Sequence, residues 1–462
     1  MKLTFFKADQ PDSTNKRILR AALTVGLLSL LARGGIALRE LVIAKSFGRG
    51  DAIDAFLIAF ALPTFVVNLL MGALASSLIP VLIQTRKTQG AAAGQKLLSS
   101  MMFLSVITLS AVALLLGLLA PYYLPYLGSS FSAAKLQLTR DVLLMLLPWV
   151  IFSGCGLFVS AALNAGEKFA VPSLAPLITP LATIVFIVLT APRWGVVSLV
   201  AGTVSGSILE AAVLIRALKS KEAQWTLRWG GMDANVRGVL LQCAPMLAGA
   251  FLMGSTSLVD QSMAAMLAGG SVAALSYGSK IVGAISTTGA NALSTAALPY
   301  FSKMISANDW NGCRHTLKRY SLLAASVTLP LTLLLMVFSR PLVRLVFQRG
   351  AFTAADTELV TWIQICYAIQ IPFYVLSLLF VRFLSSARRN DLLMYASAIN
   401  LFVDIVLNLF FMRFWGVAGI ALSTSIVFLI SFAFVSICSI RILSRKRMGT
   451  DGSLESAAPI NG

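Results

Sequence analysis

A few ionisable side chains interrupt long apolar stretches of this 462-residue chain. Each costs about 3 kcal/mol or more in lipid unless it meets a cavity or a partner. Arg33, Arg39 and Glu40 share one stretch, and Asp54 opens the next. Arg33 and Glu40 are two helical turns apart and lie on one face, with Arg39 around the side. Lys280 lies inside a later stretch. Internal neutralisation is one reading of this set, with Arg39 paired to Glu40 or Asp54. A cavity with positive charge to spare is the other, and it would take an anion; phosphate suits guanidinium and ammonium donors. A second set carries oxygen donors: Asn400, Asp404 and Asn408 recur every fourth residue, and Gln261 follows Asp260. Converging carboxylate and amide oxygens could hold Na⁺ or exchange a proton, or form a hydrogen-bonded helix seam.

Enzyme chemistry has little to work with. His315 is the one histidine, the five cysteines form no CxxC pair, and no Gly-Lys dipeptide exists. A histidine zinc site, a Ser-His-Asp triad and a Walker A loop are therefore not expected. A membrane-embedded glycan polymerase would need paired carboxylates, and the outer loops offer only Asp51 and Asp356. No cofactor and no ATPase subunit are implied, and the chain reads as a monomer.

The elements that position these residues are set by composition. Hydrophobic residues make up 58% and charged residues 12%, with a mean hydropathy of +0.84. A soluble domain carries roughly 25% charged residues, so much of this surface must face lipid. About twelve apolar runs reach the roughly 20 residues needed to cross a bilayer. None alternates with the period of a barrel strand, so they are helices. Pro63, Pro148, Pro172, Pro176, Pro180 and Pro372 should kink them. Lys and Arg concentrate in the N-terminus, the even-numbered loops and the tail, including Lys16, Arg17, Arg86, Lys87, Lys221 and Arg445 to Arg447. The positive-inside rule places both termini in the cytoplasm. It also accounts for the net charge of +19 without nucleic acid.

The chain repeats itself. Ala73-Leu74 with Pro80, Pro121, Phe131 to Ala134, and Trp194-Gly195-Val196 recur as Ala292-Leu293 with Pro299, Pro341, Phe352 to Ala355, and Trp415-Gly416-Val417. The offset stays at about 219–221 residues. Each unit holds six spans, an even number, so the two copies share one orientation about an axis along the membrane normal. The expected fold is an all-α polytopic membrane protein of about twelve helices, in two parallel six-helix lobes around a central cleft. The expected divisions are a cytoplasmic segment 1–19, a first lobe 20–218, a linker 219–237, a second lobe 238–442 and a disordered cytoplasmic tail 443–462. Thr353 with Asp356 reads as a helix-capping box. Such a duplicated bundle suits an alternating-access transporter; a duplicated structural scaffold is the plain alternative.

Arg33-Gly34-Gly35, Arg39-Glu40, Ala44, Phe47-Gly48, Asp54-Ala55-Phe56 and Leu62-Pro63 resemble the opening of the MviN/MurJ family of lipid II flippases. The segment Leu345 to Thr353, with Asp356, is similar too. The resemblance implies a flippase that moves a polyprenyl-pyrophosphate-linked glycan, lipid II or a similar envelope precursor, from the cytoplasmic to the periplasmic leaflet. By resemblance, Arg33, Arg39, Glu40, Asp54 and Lys280 are substrate-binding, and Asp260, Asn400 and Asp404 form a Na⁺ or proton site. The family's arginine pair is replaced near Val67-Asn68, and its Glu-Gly-Ala near Met71-Gly72-Ala73. The family usually has fourteen spans, against about twelve here. An exopolysaccharide or O-antigen unit is therefore an alternative cargo. A multidrug cation antiporter fits less well, because its cavity should be acidic or aromatic.

Overall fold

The computed structural model describes residues 14–218 and 228–455. The segment before Thr14, linker residues 219–227 (with Lys221) and tail residues 456–462 lie outside the described residues, as do the side chains of Lys16, Arg17, Ala292, Leu293, Pro299 and Arg445 to Arg447.

The described residues contain helices and no strand. In order they are α1 Thr14–Phe47, α2 Asp51–Gln89, α3 Ala91–Leu127, α4 Ala133–Ala165, α5 Ala170–Leu174, α6 Ile178–Trp194, α7 Val196–Leu218, α8 Ala234–Ala264, α9 Ser271–Ser306, α10 Trp310–Val337, α11 Ser339–Phe347, α12 Ala354–Ala368, α13 Gln370–Ser386 and α14 Asn390–Glu455. Nine segments among the described residues are long and apolar enough to cross a membrane. One of them is α14, which breaks at Gly416 (φ 55°, ψ −131°) and supplies two crossings. Another, Ala354–Ser386, comprises α12 and α13. Helices α1 and α9 have 34 and 36 residues but more polar sequences. Counting these two, and α14 twice, gives about twelve crossings at the roughly 20 residues each requires.

Local chemistry explains the breaks. Pro172, Pro176 and Pro180 recur every fourth residue, and the chain there forms only the short α5 and a 3₁₀ turn, Ala175–Leu177, before α6. Each proline removes a backbone donor, so a continuous helix cannot form. Gly195 ends α6 with φ 53° and ψ −132°, nearly the angles of Gly416. The capping box is present: Thr353 Oγ1 accepts from the Asp356 amide at 3.2 Å, and Asp356 Oδ2 accepts from the Thr353 amide at 2.9 Å.

The helices cluster into two compact units. The first comprises described residues up to 43, with 70–115 and 145–244. Within it α6 and α7 pack closely, because a Cβ on Gly202 would lie 2.6 Å from Thr183 Cα, and one on Gly206 2.7 Å from Thr179 Cα. Small residues permit such approach. The chain entering α8 is strapped to α3 by the Gly230 amide on Ser100 Oγ (3.1 Å), Trp229 against Phe103, and the Lys96–Asp233 pair at 3.6 Å.

The second unit comprises residues 44–69, 116–144 and the described residues from 245. Its core gathers Phe301, Cys313, Leu317, Leu379, Phe383, Ala396 and Val435 from α9, α10, α13 and both arms of α14. Helix α10 buries Cys313, Leu317, Ala324, Thr328 and Leu335 and exposes Leu322, Leu323, Val327, Leu333 and Leu334. That second stripe is a lipid-facing surface by composition. The turn after α1 is pinned from several sides. The Ala351 amide donates to Lys45 O at 2.9 Å, Tyr277 Oη to Gly48 O at 3.0 Å, and Arg49 Nε to Asp356 Oδ1 at 2.8 Å. Gly350 (φ 62°) lies so close to Lys45 O that a Cβ would clash at 2.3 Å.

Candidate functional site

In the second unit a cavity of about 540 Å³ opens among α2, α8 and α9. Phe60, Thr64, Phe65 and Asn68 line it from α2, Ser257 and Gln261 from α8, and Ser276 and Lys280 from α9. Lys280 is the one ionised side chain among these described lining residues. It is half-buried. Thr64 Oγ1 is buried without a hydrogen-bond partner. An aromatic wall, a few amides and hydroxyls and one cation make a surface for a polar anionic group.

The first unit has its own cavity, also about 540 Å³, lined by Ser29, Arg33 and Ile36 of α1, Asn164 of α4, and Phe169 and Ser173 beside α5. The proline-broken α5 leaves this space open beside α1. Arg33 lines it; Arg39 and Glu40 are not among its lining residues. Arg39 instead approaches Glu40 at 3.6 Å and donates to Thr203 Oγ1 at 3.4 Å, with its Nε buried and unpartnered.

Asp54 belongs to a different cluster of the second unit. It is 1% exposed, and its Oδ2 accepts from Lys135 Nζ at 2.9 Å and from the Gly270 amide at 2.6 Å. Its Oδ1 accepts from the Ala273 amide at 2.8 Å. Asp54 thus caps the N-terminus of α9 across the chain, supplying an acceptor to donors that lack an intrahelical partner. Lys135 also meets Asp51 at 2.7 Å and sits over the Phe131 ring. Asp54 does not line the Lys280 cavity.

The acidic and amide residues do converge. On α14, Asp404 is 1% and Asn408 0% exposed, and Asp260 of α8 is nearly buried. Asn408 Nδ2 donates to Asp260 Oδ1 at 2.7 Å, and Thr424 Oγ1 to Asp260 Oδ2 at 3.3 Å. Ser423 donates to Asn408 Oδ1. Asn400 donates to Ser431 Oγ at 3.0 Å. Asp404 Oδ2 and Asn400 Oδ1 remain buried without a partner. These are two acceptor-only oxygens one helical turn apart, beside a second carboxylate and a hydroxyl. The set fits a hard monovalent cation or a shared proton. Among the described residues no group of three His, Cys, Asp or Glu could hold a metal ion by that chemistry. Thr424 and Ser423 complete the cluster. Reading single stretches missed them, because Ser and Thr are common in apolar helices. The repeat held a signal, since Thr424 recurs as Thr203.

The family described as lipid II flippase MurJ matches residues 43–454. The chain belongs to the MurJ family. As a member it is a lipid-linked precursor flippase, a multi-pass membrane transporter and not an enzyme. Similar proteins include a probable lipid II flippase MurJ of Vibrio cholerae, 25% identical over 438 residues and covering 92% of this chain and 83% of that one. One of Bdellovibrio bacteriovorus is 26% identical over 428 residues, covering 90% and 81%. The lipid II flippase MurJ of Burkholderia cenocepacia is 27% identical over 366 residues, covering 74% and 68%. In fold the chain is similar to a MurJ structure in an inward closed conformation, with a TM-score of 0.77, 21% identity and coverage of 95% of this chain and 94% of that one. An inward-facing multidrug resistance MATE family transporter scores 0.73 at 13% identity, covering 89% and 95%. The fold is thus common to MurJ and MATE proteins, and side chains must separate their cargoes.

Proposed function

We propose that this MurJ-family chain carries lipid II from the cytoplasmic to the periplasmic leaflet of the bacterial inner membrane, with both termini cytoplasmic. The observation that carries the reading is the MurJ match over residues 43–454, joined to a cavity whose described lining residues include Lys280 and no acid. A MATE-type cavity for cationic drugs would need the opposite sign. Lys280, and Arg33 in the first unit's cavity, are the proposed donors to the pyrophosphate, each through charge-assisted hydrogen bonds. The polyprenyl tail stays in lipid, where its many CH₂ groups hold it by hydrophobic transfer. Asp54, Arg39 and Glu40 act by holding helices and not by touching the glycan lipid.

The residues 20–218 and 238–442 are proposed as the two six-helix repeats; the matched angles at Gly195 and Gly416 support this. Asp260, Asn400 and Asp404 are proposed to hold the coupling cation, Na⁺ or a proton, supported by the orphaned Asp404 and Asn400 oxygens. When bound, that cation supplies a charge on which the membrane potential acts, about 2.3 kcal/mol per 100 mV.

The test is reconstitution in liposomes with fluorescent lipid II in the inner leaflet and a membrane-impermeant quencher outside. Wild type should transfer the label outward, and Lys280→Ala should slow it. Equal transfer by empty liposomes and wild type, or preference for a glycan lipid lacking the peptide, would overturn lipid II as the cargo.

A further inference from the structure

Helix α11, Ser339–Phe347, follows the ninth crossing, and its sequence divides its surface into rows. Ser339, Val343 and Phe347 recur every fourth residue and are buried, so they hold the helix to the protein. Arg340 and Arg344 form the neighbouring row, about 100° around the axis, and both are exposed. Pro341 and Leu345 form a third row, apolar and also exposed. The segment from Ser339 to Phe352 contains no acid. Neither guanidinium of the pair has an ion-pair or side-chain hydrogen-bond partner among the described residues. Arg349, by contrast, is used locally, its Nη2 donating to Leu345 O at 2.9 Å.

Two observations place the basic row at the level of lipid headgroups. The exposed apolar face of α10, with Leu333, Leu334 and Val337, leads along the chain into the Pro341–Leu345 row. The repeat supplies the second observation. Pro341 matches Pro121 at an offset of about 220 residues, so α11 corresponds to the end of α3, where Tyr122 and Tyr126 are exposed. Exposed tyrosines at the end of a crossing belong to the aromatic belt at the membrane–water interface. At that depth the first repeat has Ala120 and Leu124 where the second has Arg340 and Arg344. The arginines also run against the charge bias of the chain, because an outer loop should hold few Lys or Arg.

We propose that α11 is an interfacial lipid-binding helix. Arg340 and Arg344 take the phosphate of an anionic phospholipid in the outer leaflet, and Pro341 and Leu345 rest on its acyl chains. A basic row beside an apolar row is the pattern of a helix lying in the interface. A guanidinium fork matches phosphate oxygens in geometry as well as charge. The choice of leaflet rests on both termini being cytoplasmic. The lipid chemistry does not, and neither depends on the transported cargo.

The experiment reconstitutes the full chain carrying Leu345→Trp in phosphatidylcholine bilayers. A minor fraction of the lipid is brominated phosphatidylglycerol or, separately, brominated phosphatidylcholine, and bromine quenches indole fluorescence on contact. Wild type, with its seven native tryptophans, supplies the background. A basic residue near an anionic surface is worth a factor of about five, so phosphatidylglycerol should quench the added indole well beyond its share of the lipid. Phosphatidylcholine should quench only in proportion to its share. Arg340→Gln/Arg344→Gln in the same background should remove the preference, whereas Arg314→Gln/Lys318→Gln, at the other end of α10, should leave it intact. Equal quenching by the two lipids in the parent, or a preference that survives the arginine double variant, would overturn the proposal. Quenching by neither lipid would put α11 in water and overturn it as well. If the arginine double variant does not fold, raised ionic strength on the parent decides, because salt screens the contact. The preference should then fall, and one independent of salt would refute the assignment.

Discussion

Replacing Lys135 by Met isolates the energy of the buried charge cluster at the start of α4. The Lys135 side chain is 7% exposed, Asp54 1% and Asp51 68%. Removing the ammonium leaves Asp54 as a buried carboxylate without its cation, a loss that costs about 3–5 kcal/mol in comparable sites. Two amides of the α9 N-terminus still donate to Asp54, at 2.6 and 2.8 Å, so the lower end, about 3 kcal/mol, is expected. Lost contact with the Phe131 ring, 4.0 Å away, adds about 0.5–1 kcal/mol. Met preserves most of the stem's packing, so the change reports charge and not a cavity. Asp51→Ala removes the exposed partner of the same ammonium and should cost about 0–1 kcal/mol. Asp54→Asn in the Lys135→Met background should then cost much less than in wild type, because no buried charge is left stranded. Denaturant unfolding in a fixed mixed micelle measures wild type and all four variants, and the Lys135–Asp54 cycle gives the coupling. If Lys135→Met is no more destabilising than Asp51→Ala, the buried pair contributes nothing beyond a surface contact, and the argument is wrong.

Four further outcomes are expected. Lys280→Ala should weaken lipid II binding by about 1.5–3 kcal/mol, some 10- to 150-fold, with melting unchanged; unaltered affinity in a native binding assay would remove Lys280 from the site. Asp404→Asn should keep the α14 stripe in shape while abolishing any Na⁺- or pH-dependence of transport; unchanged dependence would make the stripe a helix seam only. Gly195→Ala and Gly416→Ala should each cost about 1–3 kcal/mol through backbone strain alone, since nothing lies within 4 Å of a Cβ at either position; a large inequality in their melting shifts would contradict the matched geometry. A cysteine at Ser129 should react with an impermeant maleimide from the periplasmic side and one at Thr88 only from the cytoplasm, and the reverse pattern would invert the topology.

What the sequence revealed depends on how far each residue's partner lies along the chain. The spans were legible because burial in lipid needs only a run of apolar residues, and the charges of α1 did not hide it. The capping box of α12 was legible because its two members are three residues apart and act on each other's backbone. The break before α6 followed from three prolines at helical spacing. Helix α11, Ser339–Phe347, was not separated from the end of α10, because nine residues between an apolar span and a turn leave too short a pattern to register.

Charged residues were harder, for a physical reason. An acid at a helix start can cap its own helix, cap another, pair with a base or face a ligand, and its neighbours in sequence favour none of these. Asp54 takes its donors from Gly270 and Ala273 and its cation from Lys135, so its structural use stayed invisible beside its resemblance to a substrate residue. Asp404 was more legible because Asn400 and Asn408 repeat its spacing, and a polar stripe on one face of an apolar helix must meet something polar. Even there, the partners on α8 and the second arm of α14 came from elsewhere in the chain. The repeat narrows that gap: register Gly195 on Gly416, and Thr203 marks Thr424 as a member of the cluster before any distance is measured. Duplication turns a long-range contact in one half into a testable expectation for the other.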